Sequence, residues 1–241
     1  MVLIHGTRSS RAQWEGYDAL LPDADVLAID LPGHGAFEGG TCTYDDVVQA
    51  FDDALSEADD GQPVILVGHS LGGYLAGMYA QRLADDGRDD ALAALVLVGT
   101  TADPASRLAG IYKGFAKLLP VIGFERMTAI ANFFYRALGS KAEQPGPESY
   151  SALADAWALV FEHCGPHNLR AVTCPVVLIN GQFDQMRIHV KQFAAESPGA
   201  AAHVVKGASH LLPQTHPKEL GALLGEVARR VGDGGAAALE G

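Results

Sequence analysis

Short runs of consecutive apolar residues recur along the chain, separated by longer stretches with helical periodicity. Residues 2 to 4, 25 to 29, 63 to 69, 93 to 98, 175 to 180 and 202 to 206 are Val/Leu/Ile/Ala-rich and read as strands. Continuous rather than alternating apolar runs predict strands covered on both faces. Between them, Val47, Val48, Phe51, Ala54 and Leu55 recur at helical spacing. Thr43, followed three residues later by Asp46, predicts an N-cap for a helix over 44 to 58. A second helix is expected from Ser70 or Leu71 to about Leu83, and a terminal one around Ala222 to Val231. This β-α-β-α rhythm implies parallel strands joined by right-handed crossovers, hence an α/β, doubly wound, mostly parallel sheet of about six strands with helices on both faces.

The rhythm breaks between about 101 and 170. That interval holds five of the nine Phe residues and reads as several helices, among them groups around Ile111 to Leu119, Phe124 to Phe134 and Leu153 to Phe161. Pro145-Gly146-Pro147 marks a turn or hinge within it.

Composition narrows the function classes. A 241-residue chain with 48% hydrophobic residues can bury one large core, and no second core is needed. A formal charge of −12 with only 17 Lys+Arg repels phosphate backbones and anionic membranes, so neither nucleic acid nor membrane is an expected partner. Cys42, Cys164 and Cys174 form no metal-type C-x-x-C pair and are expected as reduced thiols in a cytoplasmic protein. His163, Cys164, His167 and Cys174 do not match a common zinc spacing, and neither a metal nor a cofactor is expected. With no signal-like start and no apolar run near 18 residues, the chain reads as intracellular and non-membrane.

The chemistry concentrates at strand ends. Val64-Ile65-Leu66-Val67-Gly68-His69-Ser70-Leu71-Gly72-Gly73 is an apolar strand ending in G-x-S-x-G and flowing into a helix. A serine hydroxyl is a poor nucleophile until a tight strand-to-helix turn presents it to a base at the positive end of a helix. His5-Gly6-Thr7 follows the first strand, Gly181-Gln182-Phe183-Asp184 the fifth, and Gly207-Ala208-Ser209-His210 the sixth. Asp30-Leu31-Pro32-Gly33-His34-Gly35 follows the second.

With these residues in order, the chain resembles the α/β-hydrolase superfamily, whose triad runs Ser, Asp or Glu, His. The resemblance extends from His5 to the terminal helix and leans towards small carboxylesterases, lipases and methyl esterases. It implies Ser70 as nucleophile, His210 as general base and Asp184 as its orienting acid. It also implies an oxyanion hole made by the backbone N–H groups of Thr7 and Leu71. Asp103, after the fourth strand seen here, competes with Asp184 for the acid role. His5, His34 and Asp30 are expected to brace loops, His69 and Trp14 to pack, and His216 to sit at a helix entry.

The same resemblance divides the chain into a core of 1–100 and 171–232, an inserted helical lid over 101–170 and a flexible tail over 233–241. Most relatives carry a β-hairpin before the strand ending in His-Gly. Either this lineage lacks that hairpin or the start is truncated, and if the hairpin is absent the strand near Val26 to Ile29 becomes a sheet edge available for dimer pairing.

The apolar, aromatic lid implies a hydrophobic acyl or alcohol group in the substrate, and the resemblance favours a carboxylic ester or lactone of small to medium size. Thioester hydrolysis, C–C bond hydrolysis and a non-turnover ligand-binding role remain alternatives, as do monomer and homodimer.

Overall fold

A computed structural model describes residues 1–58, 61, 64–106, 125, 126, 128, 129, 132, 133 and 151–234. Its strands are β1 (Val2–Ile4), β2 (Leu27–Ile29), β3 (Val64–His69), β4 (Leu92–Val98), β5 (Val176–Gly181) and β6 (Ala201–Val205). They form one sheet in the order β2-β1-β3-β4-β5-β6, and every pairing is parallel. The doubly wound arrangement expected from the rhythm is therefore present.

Alternate residues of each strand enter opposite cores, as the two-residue period of a strand requires. Val2, Ile4, Leu66, Leu95, Leu97, Val176 and Leu178 face one side, where helices α2 (Tyr44–Glu57), α3 (Leu71–Asp85) and α4 (Leu153–His163) pack. Leu3, Ile65, Val67, Val96, Val98, Val177 and Ile179 face the other. There Trp14 and Tyr17, the latter opening the short helix α1 (Tyr17–Leu20), meet Leu220, Leu224 and Val227 of the terminal helix, Pro217–Gly232. Two buried faces explain why the strands read as unbroken apolar runs.

Local signals set the helix bounds. The Thr43 hydroxyl accepts the Asp46 N–H at 3.2 Å, and the Asp46 carboxylate accepts the Thr43 N–H at 3.0 Å, a reciprocal cap. The five residues picked from periodicity in α2 are the five it buries. The terminal helix begins at Pro217, earlier than the apolar pattern alone indicates, because a proline costs nothing in the first turn, where its missing N–H has no intrahelical partner. Strand β2 lies at the sheet edge and its three residues are half-buried.

Of the expected lid, α4 is described, and its entry at Ala152 presses on Gly33, where an added Cβ would collide with the Ala152 Cβ. Most of 107–150, including Pro145-Gly146-Pro147, and residues 235–241 of the expected tail lie outside the described residues. All three cysteines are free. Among the described residues no helix is long and apolar enough to cross a membrane, and no cluster suits a metal ion.

Candidate functional site

Ser70 follows β3 directly and holds φ +53, a left-handed conformation rare outside glycine. The turn is fixed from several sides. Its N–H continues the sheet ladder by donating to the Val98 carbonyl at 2.8 Å, and the Thr100 hydroxyl lies 3.2 Å from the Ser70 carbonyl. A Cβ at Gly72 would sit 2.5 Å from the His5 carbonyl oxygen, so the turn can form only with glycine there.

Three side chains predicted from separate motifs meet at this turn. Ser70 Oγ lies 2.9 Å from His210 Nε2, and His210 Nδ1 lies 3.0 Å from Asp184 Oδ1. Asp184 follows β5 and His210 follows β6, so the carboxyl edge of the sheet supplies all three. Asp184 Oδ1 also accepts the Met186 N–H at 2.8 Å. Burial works against charge on Asp184, yet the hydrogen bond and charge of His210, with the Met186 N–H, hold the carboxyl below its ordinary value. An ionised carboxylate only accepts, so the imidazole proton sits on Nδ1 and the Nε2 lone pair faces the Ser70 hydroxyl.

Asp103 is not part of this hydrogen-bonded run. Its carboxylate accepts the Ala105 N–H at 2.9 Å and the Gln192 amide at 3.1 Å, which leaves Asp184 beside His210.

Leu71 begins α3, where the first N–H groups lack intrahelical partners and the helix presents its positive end. Thr7 lies one residue beyond Gly6, where an added Cβ would stand 3.2 Å from the Ser70 Cβ. The Thr7 hydroxyl is buried and has no hydrogen-bond partner among the described residues.

His5 ties the first loop to the second, with Nε2 accepting the Leu31 N–H at 3.0 Å and Nδ1 donating to the Gly6 carbonyl at 2.8 Å. Burial, with His34 nearby, pushes its pKa down to about 4. Asp30 braces the second loop by accepting the Arg11 N–H at 2.6 Å and the Ala36 N–H at 3.1 Å. His216 precedes the terminal helix, as expected. His69 does more than pack: its Nε2 lies 2.9 Å from the His210 carbonyl and its Nδ1 3.2 Å from Gln13 Oε1. Burial, then the neighbouring His210, drives its pKa down to about 3. Gln13 escapes sequence reasoning because no motif marks it.

Tyr74, one helical turn on from Ser70, lines a mostly apolar pocket with Trp157, Phe161, Met186 and Ile188, and Asp103 also borders it. The Tyr74 hydroxyl donates to the Ala102 carbonyl, and its ring faces that of Trp157 with centroids 6.2 Å apart.

The sheet order, the crossover helices and the strand-to-helix turn at Ser70 define an α/β hydrolase. The chain belongs to the alpha/beta hydrolase family, whose profile matches residues 1–223.

It is 37% identical over 111 residues to the lipase LipV of Mycobacterium tuberculosis, covering 46% of this chain and 39% of that protein. It is 34% identical over 80 residues to 2-succinyl-6-hydroxy-2,4-cyclohexadiene-1-carboxylate synthase of Serratia proteamaculans, covering 33% and 31% respectively. The chain thus spans about a third of the length of these relatives. A thermophilic esterase of Thermogutta terrifontis superposes with a TM-score of 0.75 at 23% identity, covering 95% of this chain and 89% of that one. The superposition agrees with the fold of the family.

Proposed function

We propose that the chain is a serine hydrolase that cleaves a carboxylic ester or lactone of a small to medium hydrophobic substrate through an acyl-enzyme. The observation that carries this reading is the unbroken run from Ser70 Oγ to His210 Nε2, 2.9 Å, and from His210 Nδ1 to Asp184, 3.0 Å, at the carboxyl edge of the sheet. His210 Nε2 takes the Ser70 proton as Oγ attacks the ester carbonyl, then returns it to the leaving alcohol. Asp184 keeps Nδ1 protonated and stabilises the imidazolium. Water, deprotonated by the same imidazole, releases the acid.

The developing oxyanion is assigned to the N–H groups of Leu71 and Thr7, and one such donor is worth roughly 3–4 kcal/mol in the transition state. The aromatic pocket that Tyr74 lines, one helical turn on from Ser70, receives an apolar part of the substrate. The neighbouring lipase and esterase favour an ester as the bond cleaved. Free thiols suit a reducing compartment, and we assign the protein to the cytoplasm.

The test is labelling with a fluorophosphonate, read by peptide mass spectrometry on wild type beside Ser70→Ala. A stoichiometric adduct on Ser70, absent from the variant, is expected. Folded wild type that takes no label would overturn the reading in favour of a ligand-binding role. Activated esters, thioesters and a vinylogous diketone then identify the bond.

A further inference from the structure

The proposed reaction draws on four loops that are far apart in sequence, and one side chain outside the reacting set touches two of them while adjoining a third. His69 precedes Ser70 and is only 4% exposed. On one side its Nε2 lies 2.9 Å from the main-chain oxygen of His210. A carbonyl only accepts, so the single proton of a neutral imidazole sits on Nε2 and holds that loop.

On the other side the ring is pressed against the loop bearing Thr7. A Cβ added at Gly6 would stand 2.8 Å from His69 Nδ1. Gln13 Oε1 accepts the Gly6 N–H at 3.2 Å and lies 3.2 Å from the same ring nitrogen. The imidazole therefore gauges the gap between the Gly6–Thr7 main chain and the main chain of His210. Its ring stands 5.0 Å from the His210 ring, so a neutral group is needed where an imidazolium forms in the transition state.

Building on the reading given under Proposed function, we infer that His69, backed by Gln13, is a positioning residue that fixes the oxyanion loop and the general-base loop relative to Ser70. It touches no reacting atom. Its contribution is geometric, and misplacing catalytic groups by a fraction of an ångström lowers turnover while leaving ground-state binding of an apolar substrate almost untouched.

The experiment compares wild type, His69→Phe and His69→Gln, with active sites counted by fluorophosphonate titration so that misfolded protein drops out. His69→Phe keeps a ring and loses the Nε2–H donor to the His210 carbonyl. It is expected to lower kcat and the acylation rate about 10- to 100-fold with KM nearly unchanged. His69→Gln places an amide N–H near the lost Nε2–H and is expected to recover part of that loss.

If wild type labels at Ser70 and folded His69→Phe turns over at the wild-type rate, or His69→Gln is no better than His69→Phe, the inference fails while the hydrolase reading stands. Failure of wild type to label strikes the hydrolase reading instead. Should His69→Phe not fold, Gln13→Met decides. It preserves length and removes the Gly6 contact, so reduced kcat at constant KM supports the inference and unchanged kcat overturns it.

Discussion

Replacing Gly99 by alanine tests whether the Asp184–His210 pair is held as tightly as the packing implies. Gly99 follows β4 with φ +61, and a Cβ there would stand 3.0 Å from Asp184 Oδ2 and 3.1 Å from His210 Nδ1. Two costs arise. Holding an L-residue in the left-handed region costs about 1–2 kcal/mol. The methyl must also displace the carboxylate or the imidazole, since carbon contacts relax only near about 3.5 Å.

Gly199→Ala separates these terms, because Gly199 holds φ +92 and an added Cβ meets nothing within 4 Å. Both variants should lose Tm by roughly 2–4 °C per kcal/mol of strain in a domain of this size. Only Gly99→Ala should lose turnover. A shift of about half an ångström in the imidazole predicts a fall in kcat of about tenfold.

The assay is hydrolysis of an activated ester, normalised to fluorophosphonate-titrated sites, with Tm by differential scanning fluorimetry. If Gly99→Ala keeps kcat within about twofold of Gly199→Ala, the Asp184–His210 geometry is not limiting and the reasoning is refuted.

Asp184→Asn should lower kcat about 10⁴-fold through the wrong imidazole tautomer, whereas Asp103→Asn should leave it close to wild type; steady-state kinetics on both variants reverse the assignment if the order is inverted. Acid should destabilise the fold, because His5 and His69 ionise near 6.5 when unfolded but only near about 4 and about 3 when folded. The unfolded chain then binds more protons below about 6.5, so stability present at neutral pH is lost as pH falls towards those folded values. Urea midpoints should drop between pH 7 and 5 by an amount corresponding to at most about 4 kcal/mol for the two groups, and equal midpoints would contradict it. Leu224→Ala, fully buried between the terminal helix and the sheet, should cost about 2–5 kcal/mol in urea unfolding without altering kcat per titrated site.

What the sequence revealed and what it hid follow from the range of the interactions. Strand positions came from local apolar runs, and α2 from a cap and a periodicity lying within fifteen residues, so their bounds agree with the structure to a residue or two. Ser70, Asp184 and His210 were legible because each ends a strand with its own short motif, and parallel topology brings strand ends together.

Gln13 and Gly99 left no such trace. Gln13 meets its partner His69 across 56 residues, and the His69 contact with His210 spans 141. His69 looked like a packing residue because burial alone does not reveal which atoms a ring presents, and to whom. Gly99 sits in a Gly-Thr-Thr turn that any strand exit could carry, and its crowding arises only when three strand ends converge.

That convergence has a wider consequence for where the fold tolerates change. Gly72, Gly73 and Gly181, all at carboxyl ends of strands or just beyond, have main chain within 2.8 Å of where a Cβ would lie. Gly61, Gly87 and Gly199, on loops leading into β3, β4 and β6, would place a Cβ in open space. Crowding is therefore concentrated at the end of the sheet that holds Ser70 in a conformation costing about 1–3 kcal/mol. A single strained residue persists only where its surroundings leave no alternative. Here the Ser70 N–H completes the β3–β4 ladder, so relaxing the turn would break that bond, and Gly72 lies so close to the His5 carbonyl that an added Cβ would stand 2.5 Å from it. The two apolar cores stabilise the strands rigidly enough to impose this geometry. The same packing then keeps Asp184 and His210 in register with the serine, so stability of the sheet and precision of the site depend on the same contacts.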